Sequence, residues 1–318
     1  MQFVLQLPTD RVEAGVDLLS AAALGEMARA AERFGFDAVS VTDHPMPPAR
    51  WVAAGGHHAL DPFVALSFAA AATERIRLQT HVLVLPYRNP FLVSKAAASL
   101  DVLSGGRLTL GVAAGYLEPE FVAVGADFPS RNEACDEAIA AIRRAWGGEP
   151  LDFAARGYRA RGCVQRPRPL QRPGPPIWVG GNSRRAIRRA VELGDGWLPF
   201  PAPAGLAAHA RTAPLETLAD LRAALSYARE YAAAIGRTEP LDVCFVPFGA
   251  GMGETSVEPA RVRAQVPELA EAGVTWLHLA LPAPSRAAWC EAVAAFGEAL
   301  RPGAPAQARS PDSPTAST

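Results

Sequence analysis

An acidic residue and a histidine stand side by side where an apolar segment of the sequence ends. The segment runs from Ala38 to Thr42, and Asp43 and His44 follow it directly. A carboxylate next to an imidazole suits proton or hydride chemistry, because imidazole titrates near neutral pH. The structural alternative is that Asp43 caps the following loop and His44 serves only as its hydrogen-bond partner. These two residues alone leave both interpretations open.

Two consecutive glycines precede a helical segment further along the chain. Gly180 and Gly181 follow a short apolar run and lead into Asn182 and Ser183. Glycine lets the backbone approach an anion closely, and the unpaired N–H groups of a helix N-terminus favour phosphate. Asn182 or Ser183 would equally serve as the N-cap of that helix. Of these two interpretations, we favour the phosphate site.

Two other predicted strand ends carry residues that suit a flat ligand. Thr80 and His81 close one strand and could face a bound ring. A core or loop role suits His81 equally well, since histidine is intermediate in its preference for burial. Ala113 and Gly115, just before Tyr116, leave room for a ligand to lie against the backbone. Close packing of the strand is the alternative there.

These strand ends need a scaffold that gathers them at one place. Short apolar or β-branched runs alternate with amphipathic, alanine-rich segments, which indicates repeated βα units around a parallel sheet. Eight strands are predicted: Phe3 to Leu7, Ala38 to Thr42, Ile76 to Leu83, Leu108 to Val112, Ile177 to Val179, Gly196 to Leu198, Asp242 to Phe245 and Trp276 to Leu279. The complete count predicts an α/β fold, a single closed (β/α)8 TIM barrel over residues 1–300.

Two insertions interrupt the alternation, and both follow strand C-termini. They span Pro45 to Leu60, after the second strand, and Tyr116 to Ser130, after the fourth. TIM-barrel active sites lie at this face, so we expect the two insertions to form a substrate lid. The stretch from Gly147 to Pro176 suggests a hairpin. Residues 301–318, rich in Pro, Ala and Ser, predict a disordered tail.

Composition narrows the function classes. The net charge is −1, so neither nucleic acid nor an anionic membrane is expected as a partner. The four cysteines stand far apart without CxxC spacing. A metal hydrolase using His44, His57, His58 and His81 is disfavoured, because the adjacent His57 and His58 are not at ligand spacing on a strand. We therefore expect no metal site. The N-terminus lacks the pattern of a signal peptide, so we expect a cytoplasmic protein.

Taken in order, several segments resemble the luciferase-like monooxygenase superfamily, and especially its coenzyme F420-dependent branch. The matching segments are Thr42 to Pro45, Leu85 to Pro90, Leu100 to Arg107, Gly111 to Tyr116, Pro176 to Ser183 and Gly194 to Trp197. Their joint occurrence, from the first strand to the sixth, is more specific than any single one. The resemblance implies a luciferase-like barrel and, since family members are often dimers, a homodimer.

The resemblance also implies a cofactor site. A flavin or deazaflavin ring would lie in the barrel mouth, with a bulged third strand, often containing a non-prolyl cis peptide, behind it near Thr80 and His81. The residues implied around the ring are Asp43, His44, Thr80, His81, Ala113 and Gly115, and those implied at the phosphate are Gly180, Gly181, Asn182 and Ser183.

The implied activity is hydride transfer between coenzyme F420 and a small organic substrate. His44 would handle the proton and Asp43 would fix His44. The family pattern after the fourth strand is Gly-Val-Gly-x-Gly and then Trp or an acidic residue, whereas here Ala113 replaces the middle glycine and Tyr116 follows. No acidic donor is therefore expected there, and Tyr116 is a third catalytic candidate. An FMN-dependent two-component monooxygenase and a non-catalytic flavin- or ligand-binding barrel are the alternatives.

Overall fold

The structure of the chain, a computed structural model, describes residues 1–250 and 258–300. The predicted tail over 301–318 lies outside the described residues. Within them, strands and helices alternate as the sequence predicts. The strands are β1 Gln2–Gln6, β2 Ala38–Val41, β3 Arg77–Thr80, β4 Leu83–Val84, β5 Leu108–Ala113, β6 Leu151–Ala155, β7 Tyr158–Cys163, β8 Ile177–Gly180, β9 Gly196–Leu198, β10 Asp242–Phe245 and β11 Trp276–Leu279.

The helices lie outside the strands. They are α1 Val16–Leu19, α2 Ala21–Arg33, α3 Ala49–Ala53, α4 Pro62–Ala72, α5 Pro90–Leu103, α6 Glu118–Ala123, α7 Arg131–Trp146, α8 Arg184–Leu193, α9 Ala204–His209, α10 Leu218–Ala234, α11 Pro259–Ala272 and α12 Arg286–Leu300. Side-chain caps determine where several helices begin. Asp61 accepts the N–H groups of Phe63 and Val64 at the start of α4, and Pro62 lies in the first turn. Asn89 caps α5 in the same way.

The strands close into a barrel. They run parallel in the order β3, β2, β1, β11, β10, β9, β8, β5, and the additional pairing of β3 with β5 completes the circle. β4 continues the β3 position and pairs with the upper end of β5. The predicted TIM barrel is confirmed, and so is the hairpin, formed by the antiparallel pair β6 and β7.

The bulged third strand that the family resemblance implies near Thr80 and His81 is present, so the strand predicted over Ile76 to Leu83 is interrupted. The chain leaves the sheet after Thr80, passes through a cis peptide between His81 and Val82, and re-enters it as β4. The Thr80 hydroxyl donates to the Gly111 carbonyl at 2.7 Å. A Cβ at position 111 would collide with the Thr80 carbonyl, so the bulge depends on the glycine in β5.

Apolar side chains fill both sides of the barrel wall. Inside, Val4, Ala38, Trp178, Leu198, Cys244 and Trp276 form one buried cluster. Outside, the helices pack on the alternate strand residues, such as Leu5 and Val39, in a much larger core. No helix among the described residues is long and apolar enough to cross a membrane. The short helix α9, in the connection after β9, was not predicted.

Candidate active site

The histidine that follows β2 is paired with a buried carboxylate from another loop. His44 Nδ1 lies 3.1 Å from Glu120 Oε2. Glu120 is fully buried and also accepts the Met46 N–H and the Tyr87 hydroxyl, each at 2.9 Å. Burial acts to raise the pKa of Glu120, but these hydrogen bonds and the interaction with His44 lower it below its ordinary value. Glu120 is therefore ionised at neutral pH.

The sequence patterns did not indicate Glu120, which lies four positions after Tyr116, the residue at the motif position where an acidic donor was not expected. Glu120 lies on α6, inside the insertion that follows β5, and the insertion folds back over the barrel mouth. The available signal was Glu118-Pro119-Glu120, an acidic pair around a proline that suits a helix start. That signal predicts a helix, and only the folded chain places one of its carboxylates against His44.

The predicted contact between Asp43 and His44 is also wrong. Both Asp43 carboxylate oxygens accept hydrogen bonds from the Arg88 guanidinium, at 2.6 and 2.8 Å, and one also accepts the Val84 N–H at 3.0 Å. Arg88 lies 3.7 Å from Asp61, the N-cap of α4. Asp43 therefore ties β4 and the following loop to the end of β2, and His44 is oriented by Glu120 instead.

The insertion over residues 45–60, here called the lid, covers His44. The Trp51 ring lies 4.6 Å from the His44 ring, and the His57 ring meets it edge-on at 4.8 Å. Burial, with a smaller contribution from His44, lowers the pKa of His57 to about 4, so His57 is neutral at pH 7. Neither ring nitrogen of His57 has a hydrogen-bond partner among the described residues.

Tyr116 stands at the end of β5 beside the lid. The Trp51 side chain acts on the Tyr116 hydroxyl and opposes part of the rise in the pKa of Tyr116. Its ring lies 5.9 Å from that of His209 in the connection after β9. Burial and the charge of Glu120 raise the pKa of Tyr116, which keeps the phenol protonated and makes it a weaker acid.

Thr80, the last residue of β3, and His81, which follows it, have different roles. Thr80 is fully buried and binds the Gly111 carbonyl. The His81 ring turns into the barrel and stacks on His278 at 3.8 Å, and His278 Nε2 lies 2.9 Å from Ser40 Oγ. Burial lowers the pKa of His81 to about 4. The His81 side chain is thus half-buried against His278 inside the barrel, and its backbone, at the cis peptide, forms the bulge.

The small residues near the end of β5 lie close to side chains of other segments of the protein. Gly115 has φ of +80°, and a Cβ there would press on Val84 and Phe121. A Cβ on Gly180 would lie 3.7 Å from that of Ala113 and 3.3 Å from Val82. The double-glycine turn is therefore next to the bulged strand.

The turn from Gly180 to Ser183 is held by several contacts. The Ser183 hydroxyl accepts the Ala186 N–H and so caps α8. The Asn182 side chain donates to the Phe200 carbonyl at 2.9 Å and accepts the Phe200 N–H at 3.1 Å. The Asn182 N–H donates to the Thr212 hydroxyl at 2.8 Å. The predicted capping alternative is thus present at Ser183, while the first-turn amides after it have no partner within the helix.

All the predicted site residues lie at one end of the barrel. His44, Thr80, Ala113 and Gly180 end or follow strands that run parallel to one another. The contact of Gly180 with Val82 and the bond from Val84 to Asp43 link the double-glycine turn to the acid–histidine region. The structure therefore brings the two predicted halves of the site to one barrel mouth.

Comparison with known proteins gives one family. The model of the luciferase-like monooxygenase family matches residues 1–258. An FMNH2-dependent dimethylsulfone monooxygenase from Pseudomonas putida is 32% identical over 174 residues, which are 54% of this chain and 46% of that protein. An F420-dependent glucose-6-phosphate dehydrogenase from Beutenbergia cavernae is 38% identical over 173 residues, 53% of this chain and 49% of that protein. The aligned part thus spans about half the length of these relatives.

A solved structure shares the fold over nearly the whole chain. The monooxygenase RslO1 from Streptomyces bottropensis superimposes with a TM-score of 0.77 at 21% sequence identity, covering 94% of this chain and 98% of that one. At that identity the similarity concerns the fold alone. Proteins named as FMNH2-dependent and as F420-dependent are thus both among the relatives that this chain matches.

Proposed function

Because the chain belongs to the luciferase-like monooxygenase family, we propose that it is an oxidoreductase that uses coenzyme F420 to move a hydride to or from a small organic substrate. The observation that carries this proposal is the buried pair of His44 and Glu120 at the barrel mouth. Hydride transfer at a carbon that bears oxygen also requires a proton to be taken up or released at that oxygen. A histidine oriented by a carboxylate supplies this function.

The hydrogen bond determines which nitrogen of His44 is available. An ionised carboxylate only accepts hydrogen bonds, so Nδ1 of His44 carries its proton toward Glu120. In the neutral ring Nε2 then holds a free lone pair. Nε2 can take a proton from a substrate hydroxyl, or return one to a carbonyl in the reverse direction. Glu120 is the positioning residue, and it stabilises the imidazolium that forms.

The residues present fit a ring with a phosphate-bearing tail. The bound deazaflavin would supply the hydride acceptor or donor. Gly180 has no side chain where one would narrow the space beside Val82 and Ala113, which suits close approach of a ligand. The first-turn amides of Arg184 and Arg185 lie at the N-terminus of α8, where helices favour phosphate. We assign the ring to the mouth beside the bulge and the phosphate to this turn.

An FMN-dependent monooxygenase is the second candidate, and a specific observation favours it. The dimethylsulfone monooxygenase is about as similar as the F420-dependent dehydrogenase, and it uses FMNH2. We prefer F420 because a two-electron hydride carrier makes direct use of a proton acceptor such as His44, whereas the monooxygenase reaction requires oxygen in addition.

Cofactor titration separates the candidates. The purified chain is titrated with F420 and, separately, with FMN, and the dissociation constants are measured from cofactor fluorescence. Tight F420 binding with weak FMN binding is expected. Tight FMN binding without F420 binding would replace the first candidate by the second, and binding of neither cofactor would reject both.

Turnover then tests the role of His44. The chain loaded with F420 is assayed against a panel of alcohols and carbonyl compounds by the absorbance of the cofactor. With F420 at saturating concentration, His44→Gln should lose about 100- to 10,000-fold in rate, the usual contribution of a general base. Arg263→Gln, on the outer helix α11, is the matched control. If His44→Gln retained the full rate, the proton role would be wrong, and a wild-type chain that binds F420 without turning over would favour a non-catalytic barrel.

A further inference from the structure

A cavity of about 560 Å³ opens beside the lid. Arg50, from α3 in the lid, lines it, and so do His209 and Arg211, which follow β9. In the closed barrel three strands separate β2 from β9 in each direction, so these two connections begin on opposite sides. Loops from opposite sides can share a cavity only by reaching across the opening. The cavity therefore lies above the barrel mouth.

The charge of this cavity is positive. Arg50 and Arg211 both line it, together with the imidazole of His209. Its one carboxylate, Glu118, is already paired with Arg211 at 3.2 Å. Arg50 is exposed and has no ion-pair partner among the residues that the structure describes. One full positive charge is thus left uncompensated, and it favours a negatively charged ligand.

The backbone that carries Arg211 is fixed in an unusual conformation. Arg211 has φ of +51°, which few residues other than glycine adopt. The next residue, Thr212, holds this turn: its N–H donates to the Ala207 carbonyl and its hydroxyl accepts the Asn182 N–H. The Arg211 guanidinium also stacks over the Phe128 ring at 4.7 Å. The cation is therefore held in place before any ligand binds, which lowers the entropic cost of binding.

A continuous set of contacts joins this cavity to the proposed reaction centre. Tyr116 and Arg50 both line the cavity, and Trp51 follows Arg50 directly in α3. Trp51 in turn lies 4.6 Å from the His44 ring. We propose that an oxyanion of the substrate, a carboxylate, phosphate or sulfonate group, binds between Arg50 and Arg211, while the rest of the substrate passes Tyr116 toward His44. This inference rests on the proposed function, and it specifies an anionic substrate.

Binding of simple anions tests the inference without knowledge of the substrate. The chain saturated with its cofactor is titrated calorimetrically with inorganic phosphate and with acetate, at an ionic strength kept constant with sodium chloride because exposed charges are screened by salt. Arg50→Gln and Arg211→Gln are compared with Arg263→Gln, which removes an exposed arginine on α11. Far-UV circular dichroism of each variant shows that it is folded.

We expect at least one of the two anions to bind the wild-type chain and the Arg263→Gln control equally. Arg50→Gln should weaken that binding about tenfold, as loss of one charge-assisted contact predicts. If neither anion binds the wild-type chain, or if Arg50→Gln and Arg211→Gln bind as tightly as the control, the inference is wrong.

Two sources of the oxyanion are distinguished by the cofactor. A substrate site binds the anion equally with and without saturating cofactor, whereas a site for the cofactor's own phosphate is blocked by it. Competition would therefore overturn the assignment to the substrate. Cofactor affinity, measured separately in every sample, reports on the proposed function. If no cofactor binds while the anion result holds, only the proposed function fails.

Discussion

His44 and Glu120 form a buried pair at 3.1 Å although 76 positions of the chain separate them. The contact joins the residue just before the lid to the insertion that follows β5, and Glu120 also binds the lid itself by accepting the N–H of Met46. One carboxylate therefore orients the candidate base and fixes the loop that carries it. Loss of Glu120 should affect both the chemistry and the order of the mouth.

Replacing Glu120 by glutamine should destabilise the chain by about 2 kcal/mol, because three hydrogen bonds lose a charged acceptor. Since the pKa of Glu120 is lowered from an ordinary value of 4.5, its contribution is present above that pH and is lost as the pH falls through the lowered value. Urea denaturation between pH 3 and 7 should show that Glu120→Gln loses this acid dependence. Glu118→Gln, two residues away and 54% exposed, should cost less than about 1 kcal/mol. Equal effects of the two substitutions would contradict the assignment.

Asp43→Asn should destabilise the chain by about 3 kcal/mol, because it leaves the half-buried Arg88 guanidinium without its bidentate partner. The comparison is Glu271→Gln, which breaks an exposed ion pair with Arg222 at 3.3 Å and should cost less than about 1 kcal/mol. Both are measured by chemical denaturation at pH 7. A small effect of Asp43→Asn would mean that the Arg88 contact does not hold β4.

Gly111→Ala should cost about 3 kcal/mol or prevent folding, because the added methyl group meets the rigid backbone carbonyl of Thr80. Gly205→Ala is the matched control: it lies in α9, and its added Cβ would meet nothing within 4 Å. That control should be neutral or stabilise by up to about 1 kcal/mol, since alanine favours helix over glycine. Thermal unfolding of the two variants gives the comparison, and similar transition temperatures would argue against the bulge.

The chain should lose stability in mild acid. Burial lowers the pKa of His57 and of His81 from 6.5 to about 4, so the unfolded chain binds more protons than the folded chain between these values. Stability then rises with pH in this window and is lost as the pH falls from about 6.5 to 4, by up to about 1.4 kcal/mol per pH unit for each histidine. Denaturation at pH 7, 6 and 5 measures the slope. His57→Asn should reduce it, and an unchanged slope would refute the burial of His57.

Sequence patterns of short range were sufficient for much of the scaffold. The alternation of strands and helices predicts the barrel, and residues such as Asp61, Asn89 and Ser183 form their caps with partners two or three positions away. The periodicity of apolar residues and the helix caps depend on residues that are neighbours in the chain, so both can be recognised in the sequence. Periodicity alone predicted one strand over Ile76 to Leu83 and missed its interruption, which depends on Gly111 in another strand. Only the family resemblance implied the bulge there.

By itself, the sequence determined the barrel, the end at which the site lies and the motifs that resemble the family. Tertiary structure alone decided the surroundings of the charged side chains: Glu120 beside His44, Arg88 beside Asp43, and both Arg50 and Arg211 in the lining of one cavity. The physical reason is distance along the chain. A hydrogen bond between side chains that are distant in the sequence forms only after the loops that carry them have come together. How these loops lie is set by packing across the barrel mouth, and no local sequence pattern predicts that packing.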